Sequence, residues 1–189
     1  MRIYMELLSD AIFGNGLSIP GGEDISVVCD EQGFPFFRGS TLKGVFREEL
    51  LNLLVWKGCT RKEAQREAGS LLGESGDDYH DEKILFGDFT VPETVKMFVL
   101  QETGDNPDAV LESFTHLRTF TALDDSGCVK EGSLRTARCV NRGIVLEGRI
   151  LCGTAQEELV AETLSFVKAV GTMRNRGFGA VRLRAERRK

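Results

Sequence analysis

The sequence predicts an α+β chain built on a ferredoxin-like βαββαβ core that carries a projecting β-hairpin and a helical insertion. Three observations predict it. Stretches with period-two alternation open and close the chain. Two stretches with apolar residues at spacings of three and four lie between them. Once the polar and glycine-rich segments are set aside, the remainder runs strand, helix, strand, strand, helix, strand.

Residues 2–8 alternate Ile3, Met5 and Leu7 with Tyr4 and Glu6, a strand with one buried face. Gly14, Gly16, Pro20, Gly21 and Gly22 mark a long irregular loop, and Phe36 and Phe37 form a short strand after the turn at Gly33. Residues 40–56 read as a helix: Leu42, Val45, Phe46, Leu50, Leu53 and Leu54 share a face, Ser40 or Thr41 serves as N-cap, and Gly58 ends it. A second helix covers residues 60–72, with Thr60 and Glu63 at capping-box spacing. The polar stretch 73–83 is expected to be mobile. Strands are expected at 85–91 and 96–100, and a short helical turn within 107–114. Residues 115–123 and 134–140 are strand-like on either side of Asp124-Asp125-Ser126-Gly127 and read as an antiparallel hairpin. A strand at 144–152, a helix at 156–170 with Leu159, Val160, Leu164, Val167 and Val170 inward, and a strand at 180–185 complete the core. The chain is expected to form a single domain over 1–189, with an acidic helical insertion at about 57–83 and a hairpin insertion at about 101–142.

Composition narrows the function. No apolar run approaches the ~18 residues that span a bilayer, and the first ten residues do not form a secretory signal. Five scattered cysteines without a Cys-x-x-Cys pair suit reduced thiols and a cytoplasmic setting. The net charge of −5 disfavours nucleic acid as an average, but the charge is polarised. Arg174, Arg176, Arg182, Arg184, Arg187, Arg188 and Lys189 crowd the C-terminus, and Arg135, Arg138, Arg142 and Arg149 form a second set near Lys130. Such a chain can present a basic face while remaining acidic overall.

Two segments carry the chemistry. In Arg38-Gly39-Ser40-Thr41-Leu42-Lys43-Gly44-Val45-Phe46-Arg47 a helix opens, and helix N-termini attract anions. Lys43 in the first turn opposes the helix dipole by ~0.3–1 kcal/mol, and Gly44 costs about 1 kcal/mol against alanine. A phosphate explains both, because Lys43 would neutralise it and Gly44 would admit close approach, with Arg47 one turn on along the same face. In Arg174-Asn175-Arg176-Gly177-Phe178-Gly179 the glycines let a ligand approach the backbone and the arginines can clamp phosphates. A capped core helix and a tight turn are the plainer readings of the same residues. Phe178 is a candidate for stacking on a base. Cys59 and His80 offer two zinc ligands against the usual four, so no zinc site is expected.

Together these segments resemble the RAMP superfamily of CRISPR-associated proteins. Gly39-Ser40-Thr41-Leu42-Lys43-Gly44-x-x-Arg47 is similar to its Gly-Ser-Ser-Leu-Lys-Gly-x-x-Arg signature, and Ile84-Leu85-Phe86-Gly87 to its Leu-Phe-Gly element. Thr121-Ala122-Leu123-Asp124 through Gly132-Ser133-Leu134 looks like the hairpin of the type III backbone subunits, and Arg176-Gly177-Phe178-Gly179 like the C-terminal glycine-rich loop. The resemblance implies a Csm/Cmr-type backbone subunit that binds guide RNA along its sugar-phosphate backbone. Its hairpin would act as a thumb on the guide–target RNA duplex, and its partners would be copies of itself and other effector subunits in a head-to-tail filament. It also implies cleavage of target RNA by a loop aspartate with a divalent metal, Mg²⁺ being the expected ion; Asp24 occupies that place, with Glu23 and Asp30 as rivals, because Ile25-Ser26 follow it where the family has Asn-Pro. Alternatives are a non-catalytic RNA-binding scaffold, a guide-processing endoribonuclease using His80 or His116, and a small-molecule or protein-binding domain with a basic tail.

Overall fold

The computed structural model describes residues 1–16, 23–73, 83–122 and 124–186. Most of the polar stretch 73–83, including His80, thus lies outside the described residues, as do Leu123 and the last three residues. The elements, in chain order, are β1 (Arg2–Leu7), α1 (Gly39–Trp56), α2 (Arg61–Leu72), β2 (Leu85–Phe86), α3 (Glu93–Thr103), α4 (Pro107–Phe114), β3 (Thr115–Phe120), β4 (Arg135–Val140), β5 (Val145–Leu151), α5 (Glu157–Phe166) and β6 (Val181–Glu186). Short 3₁₀ turns at Thr154–Gln156 and Arg174–Arg176 precede α5 and β6.

Four strands form one sheet in the order β2-β5-β1-β6, every neighbour antiparallel. Pleating sends Ile3, Met5 and Leu7 of β1 to the buried face and leaves Tyr4 and Glu6 on the other, which is open. Leu146 and Ile150 of β5 and Val181 of β6 join the buried face. Leu42, Val45, Phe46, Leu50 and Leu54 of α1 and Val160 and Leu164 of α5 cover it in one apolar cluster. The helix stripe read at spacings of three and four is therefore the stripe that packs.

β3 and β4 pair separately as a two-stranded antiparallel sheet, from Thr115↔Val140 to Phe120↔Arg135. Its root is tied to the segment after β1 by the bridge Ala11↔Val140 and to the segment after residue 22 by Ile25↔Ala137.

Four expectations are corrected. The stretch 96–100 is not a strand but the middle of α3. Glu93 in the first turn and left-handed Gly104 at the end bound a helix that the apolar run Val95 to Leu100 concealed. The strand expected at 85–91 is broken: Leu85 and Phe86 pair with β5, Asp88 leaves the edge, and Phe89 and Thr90 return as isolated bridges. Neither Ser40 nor Thr41 caps α1, because the helix starts earlier, with Arg38 at the N-cap. The last helix stops at Phe166, since Val167 turns extended and the next residues pair with the start of β6 through Ala169↔Ala180. The capping box at Thr60 and Glu63 is present, with Thr60 N–H donating to Glu63 Oε2 at 2.8 Å. Among the described residues no helix is long and apolar enough to cross a membrane.

Candidate nucleic-acid interface

The opening of α1 is set by contact rather than by its own side chains. Gly39 N–H donates to Asp88 Oδ1 at 2.8 Å, so a carboxylate from the broken strand edge already holds the first amide. A Cβ at Gly39 would lie 2.3 Å from Phe86 O and 2.5 Å from Gly87 O, so only glycine fits against this turn. Arg38, Ser40 and Thr41 are exposed beside it. Lys43 and Arg47 come next, half-buried. Burial, then Arg47, then Lys83 lower the Lys43 pKa, so the ammonium sits among like charges. Arg47 is steadied by donation to Gly73 O at 2.6 Å.

Gly44 differs from Gly39. A Cβ placed on it would meet nothing within 4 Å, and its backbone is ordinary helix. No contact among the described residues therefore accounts for a residue that costs about 1 kcal/mol there. At about 100° per residue, Arg47 lies about 40°, Gly44 about 100° and Glu48 about 140° around the axis from Lys43. Gly44 thus occupies the middle of an exposed strip with Lys43 and Arg47 on one margin and Glu48 on the other.

The glycine-rich turn reaches that strip. Arg174 Nη1 lies 3.8 Å from Glu48 Oε2, which seats the Arg174–Arg176 turn beside α1. Met173 enters the turn in the left-handed region at φ 57°, and Gly177 leaves it at φ 84°. Gly179 is required sterically: at φ 70° its Cβ would lie 1.8 Å from Val170 O. Arg174, Asn175, Arg176 and Gly177 are exposed. Phe178 is not, at 6% exposure. Its ring meets Phe120 at 5.5 Å and carries the Arg118 guanidinium at 5.1 Å, so it joins the turn to β3 and offers no face to a base.

Arg176 borders three depressions. One of about 520 Å³ lies along residues 171–176. A second of about 600 Å³ runs from Met173 and Arg176 to Lys130 and Arg135 of the hairpin. The third, of about 240 Å³, lies toward Asp10 and Arg142.

On the hairpin, Arg135 and Arg138 have different surroundings. Arg135 is exposed and stands 3.7 Å from Asp24 Oδ1. Arg138 is half-buried, ion-paired to buried Glu23, and its Nη1 donates to Thr115 Oγ1 at 3.2 Å. Asp24 Oδ2 accepts the Thr136 N–H at 2.7 Å, fixing the carboxylate at the first residues of β4. Its side chain remains 38% exposed, with Oδ1 toward Arg135. Among the described residues no three His, Cys, Asp or Glu side chains gather to hold a metal.

The structure therefore brings Lys43, Gly44 and Arg47 into one strip with Arg174, and leads from Arg176 to Arg135 and Asp24 along the hairpin. Reading the sequence did not single out Asp10, Glu48 or Arg118. Asp10 and Arg118 meet across 108 positions of sequence, and no local spacing announces such a contact.

The family model described as the RAMP superfamily matches residues 4–182. A chain in the cryo-EM structure of the type III-B Cmr-beta bound to cognate target RNA is similar in fold, with TM-score 0.67 and 13% identity over 97% of this chain and 95% of that one. A chain in the cryo-EM structure of the apo state of type III-B Cmr-beta gives TM-score 0.65 and 14% identity with the same coverage. No curated protein matches the chain in sequence.

Proposed function

The chain belongs to the RAMP superfamily, whose model spans residues 4–182 of it, and from that premise we propose that it is a subunit of a type III CRISPR effector complex that holds guide RNA by its sugar-phosphate backbone. The observation that carries the reading is Gly44, a helix-interior glycine with open space above it between Lys43, Arg47 and the arginine turn. Bare backbone flanked by cations suits a phosphate and carries no base readout, as a sequence-tolerant binder needs. Ser40, Thr41 and Arg38 border the same strip and Arg135 extends it along the hairpin. Gly177 and Gly179 shape the turn that presents Arg174 and Arg176, and Arg138 positions β4 from inside.

The partners in this reading are guide RNA, target RNA, further copies of the chain stacked head-to-tail, and other effector subunits. The strand order β2-β5-β1-β6, with α1 before β2 and α5 before β6, supports a ferredoxin-like core. On it, the α2 region and the α3–β4 region are insertions, and the β3–β4 hairpin is a thumb. The Cmr-beta chains similar in fold come from structures with and without target RNA, which is consistent with this assignment.

Gly44→Ala tests it in two opposed directions. Helix propensity predicts a gain of about 0.5–1 kcal/mol in unfolding free energy, because the added methyl meets nothing. The same methyl blocks the approaching phosphate, and RNA affinity falls about tenfold, or about 1.4 kcal/mol. A more stable variant with unchanged affinity for guide RNA would sink the proposal.

Target-RNA cleavage belongs to the same reading through Asp24, whose partly exposed carboxylate sits beside Arg135 of the hairpin. A partly exposed carboxylate suits a hydrated Mg²⁺ that takes its other ligands from water and RNA. Such an ion, when bound, supplies charge neutralisation at the scissile phosphate. Asp24→Asn retains an oxygen for the Thr136 N–H and removes the charge. We expect loss of target cleavage with RNA affinity kept in the assembled complex. Cleavage at the wild-type rate would exclude Asp24.

A further inference from the structure

Between the end of β1 and the root of the β3–β4 hairpin lies the depression of about 240 Å³ whose charged lining is Asp10, Arg118, Arg142 and Arg176. Asp10 is its fixed point. Oδ1 accepts the Arg142 backbone N–H at 3.1 Å, and Oδ2 stands 3.5 Å from both Arg118 Nη1 and His116 Nε2. The Asp10 carbonyl accepts the Gly179 N–H at 2.7 Å, which ties the glycine-rich turn to the same residue. Arg118 is held by Asp10 below and the Phe178 ring beside it.

The charges do not balance here. Arg135, Arg138, Arg174, Arg182 and Arg184 each have a carboxylate within 3.8 Å. The side chains of Arg142 and Arg176 have none among the described residues, although the chain carries 29 acidic residues against 24 Lys and Arg. Three guanidinium groups around one carboxylate leave a formal surplus of two positive charges at a concave surface. Like charges gathered this way repel one another until an anion enters.

We propose that this depression binds a phosphate group of RNA, with Arg142 and Arg176 as its ligands and Arg118 as the neighbouring cation that Asp10 and Phe178 hold in position. The guanidinium fork matches phosphate oxygens in a bidentate way. The volume falls below the ~300–1,000 Å³ of pockets that enclose a drug-sized molecule, so it suits a phosphate with its sugar. A base finds no platform, since Phe120 and Arg118 cover the Phe178 ring. No residue of the α1 strip lines this site, and the proposal rests on the RNA-binding reading given above.

The test measures binding of a single-stranded RNA oligonucleotide by the full chain across a salt series, for wild type, Arg142→Gln and Lys43→Gln. Arg142→Gln leaves the backbone N–H to Asp10 in place, and its melting temperature serves as the folding control. The expected result is a five- to tenfold loss of affinity in Arg142→Gln, with the slope of log K against log salt reduced by about 0.7. Arg142→Lys, which keeps the charge and loses the fork, should fall between the two. Loss in Lys43→Gln with none in Arg142→Gln overturns this site and leaves the α1 strip standing. Wild-type protein that binds no RNA overturns both. Saturable binding of AMP or inorganic phosphate that Arg142→Gln abolishes, with RNA affinity unchanged, overturns the RNA assignment in favour of a free phosphate ligand.

Discussion

Arg138 shows how burial redirects a cation. Its sequence neighbours place it in a basic set with Arg135 and Arg142, yet in the fold it faces Glu23 and Thr115 while Arg135 stays exposed. Period-two alternation already separates Arg135 from Thr136 on opposite faces of β4, but no spacing names Glu23 as the acid 115 positions away. With side-chain exposures of 17% and 11%, this pair is sheltered enough for its loss to be felt. Removing one charge strands the other, at a cost of about 3 kcal/mol. Glu23→Gln is therefore expected to lower the urea midpoint markedly, whereas Arg135→Gln should leave it nearly unmoved. Equal midpoints for the two variants would contradict the assignment of Arg138 as an internal cation.

At the scale of elements, α1 and α2 were legible because their signals are local. The stripe from Leu42 to Leu54 follows the helical period, and Thr60 with Glu63 spells a capping box that the fold contains. Thr60 Oγ1 accepts the Glu63 N–H at 3.4 Å, and Glu63, whose pKa is lowered by its hydrogen bonds from Thr60, accepts in return. Thr60→Ala should cost about 1 kcal/mol in a thermal or urea melt. A melt that does not move would mean the cap is idle in solution. Because the folded-state Glu63 pKa is depressed, the reciprocal contribution is present above the unfolded-state pKa and lost as pH falls through the folded value. By contrast, the start of α1 was misread because its cap, Asp88, comes from 49 positions downstream. The stretch around α3 was misread because a run of apolar residues has no decisive period. None of the residues of α3 is buried, and Met97 and Phe98 are 71% and 65% exposed, so burial does not mark the helix either.

For the molecule as a whole, net charge and local charge point in opposite directions. The chain is acidic at −5, yet Lys43 and Arg47 stand on α1, and Arg174 and Arg176 stand in the turn that the Arg174–Glu48 ion pair joins to it. These four cations and Arg142, at about 0.7 each, predict that log K for single-stranded RNA falls with log salt at a slope of about −3.5. A slope near zero would show that phosphates do not carry the binding. The meeting of the helix opening and the arginine turn is a tertiary fact, and the sequence supplied only the two residue types that make such a meeting useful. Asp10 ties the arginine turn to the hairpin from a third segment, which explains why it escaped notice.

The arginine turn closes on a short stem. Val170 N–H donates to Gly179 O at 2.8 Å and Val181 N–H to Lys168 O at 2.9 Å, so residues 171–178 hang from their own two-rung base. With the ends already clamped, doubling such a span costs only about 0.6 kcal/mol of chain entropy. The sheet would scarcely register an insertion there, while Arg174 would be carried out of reach of Glu48. The length of this small overhang is thus a setting that can be changed to reposition the cations without refolding the platform beneath them.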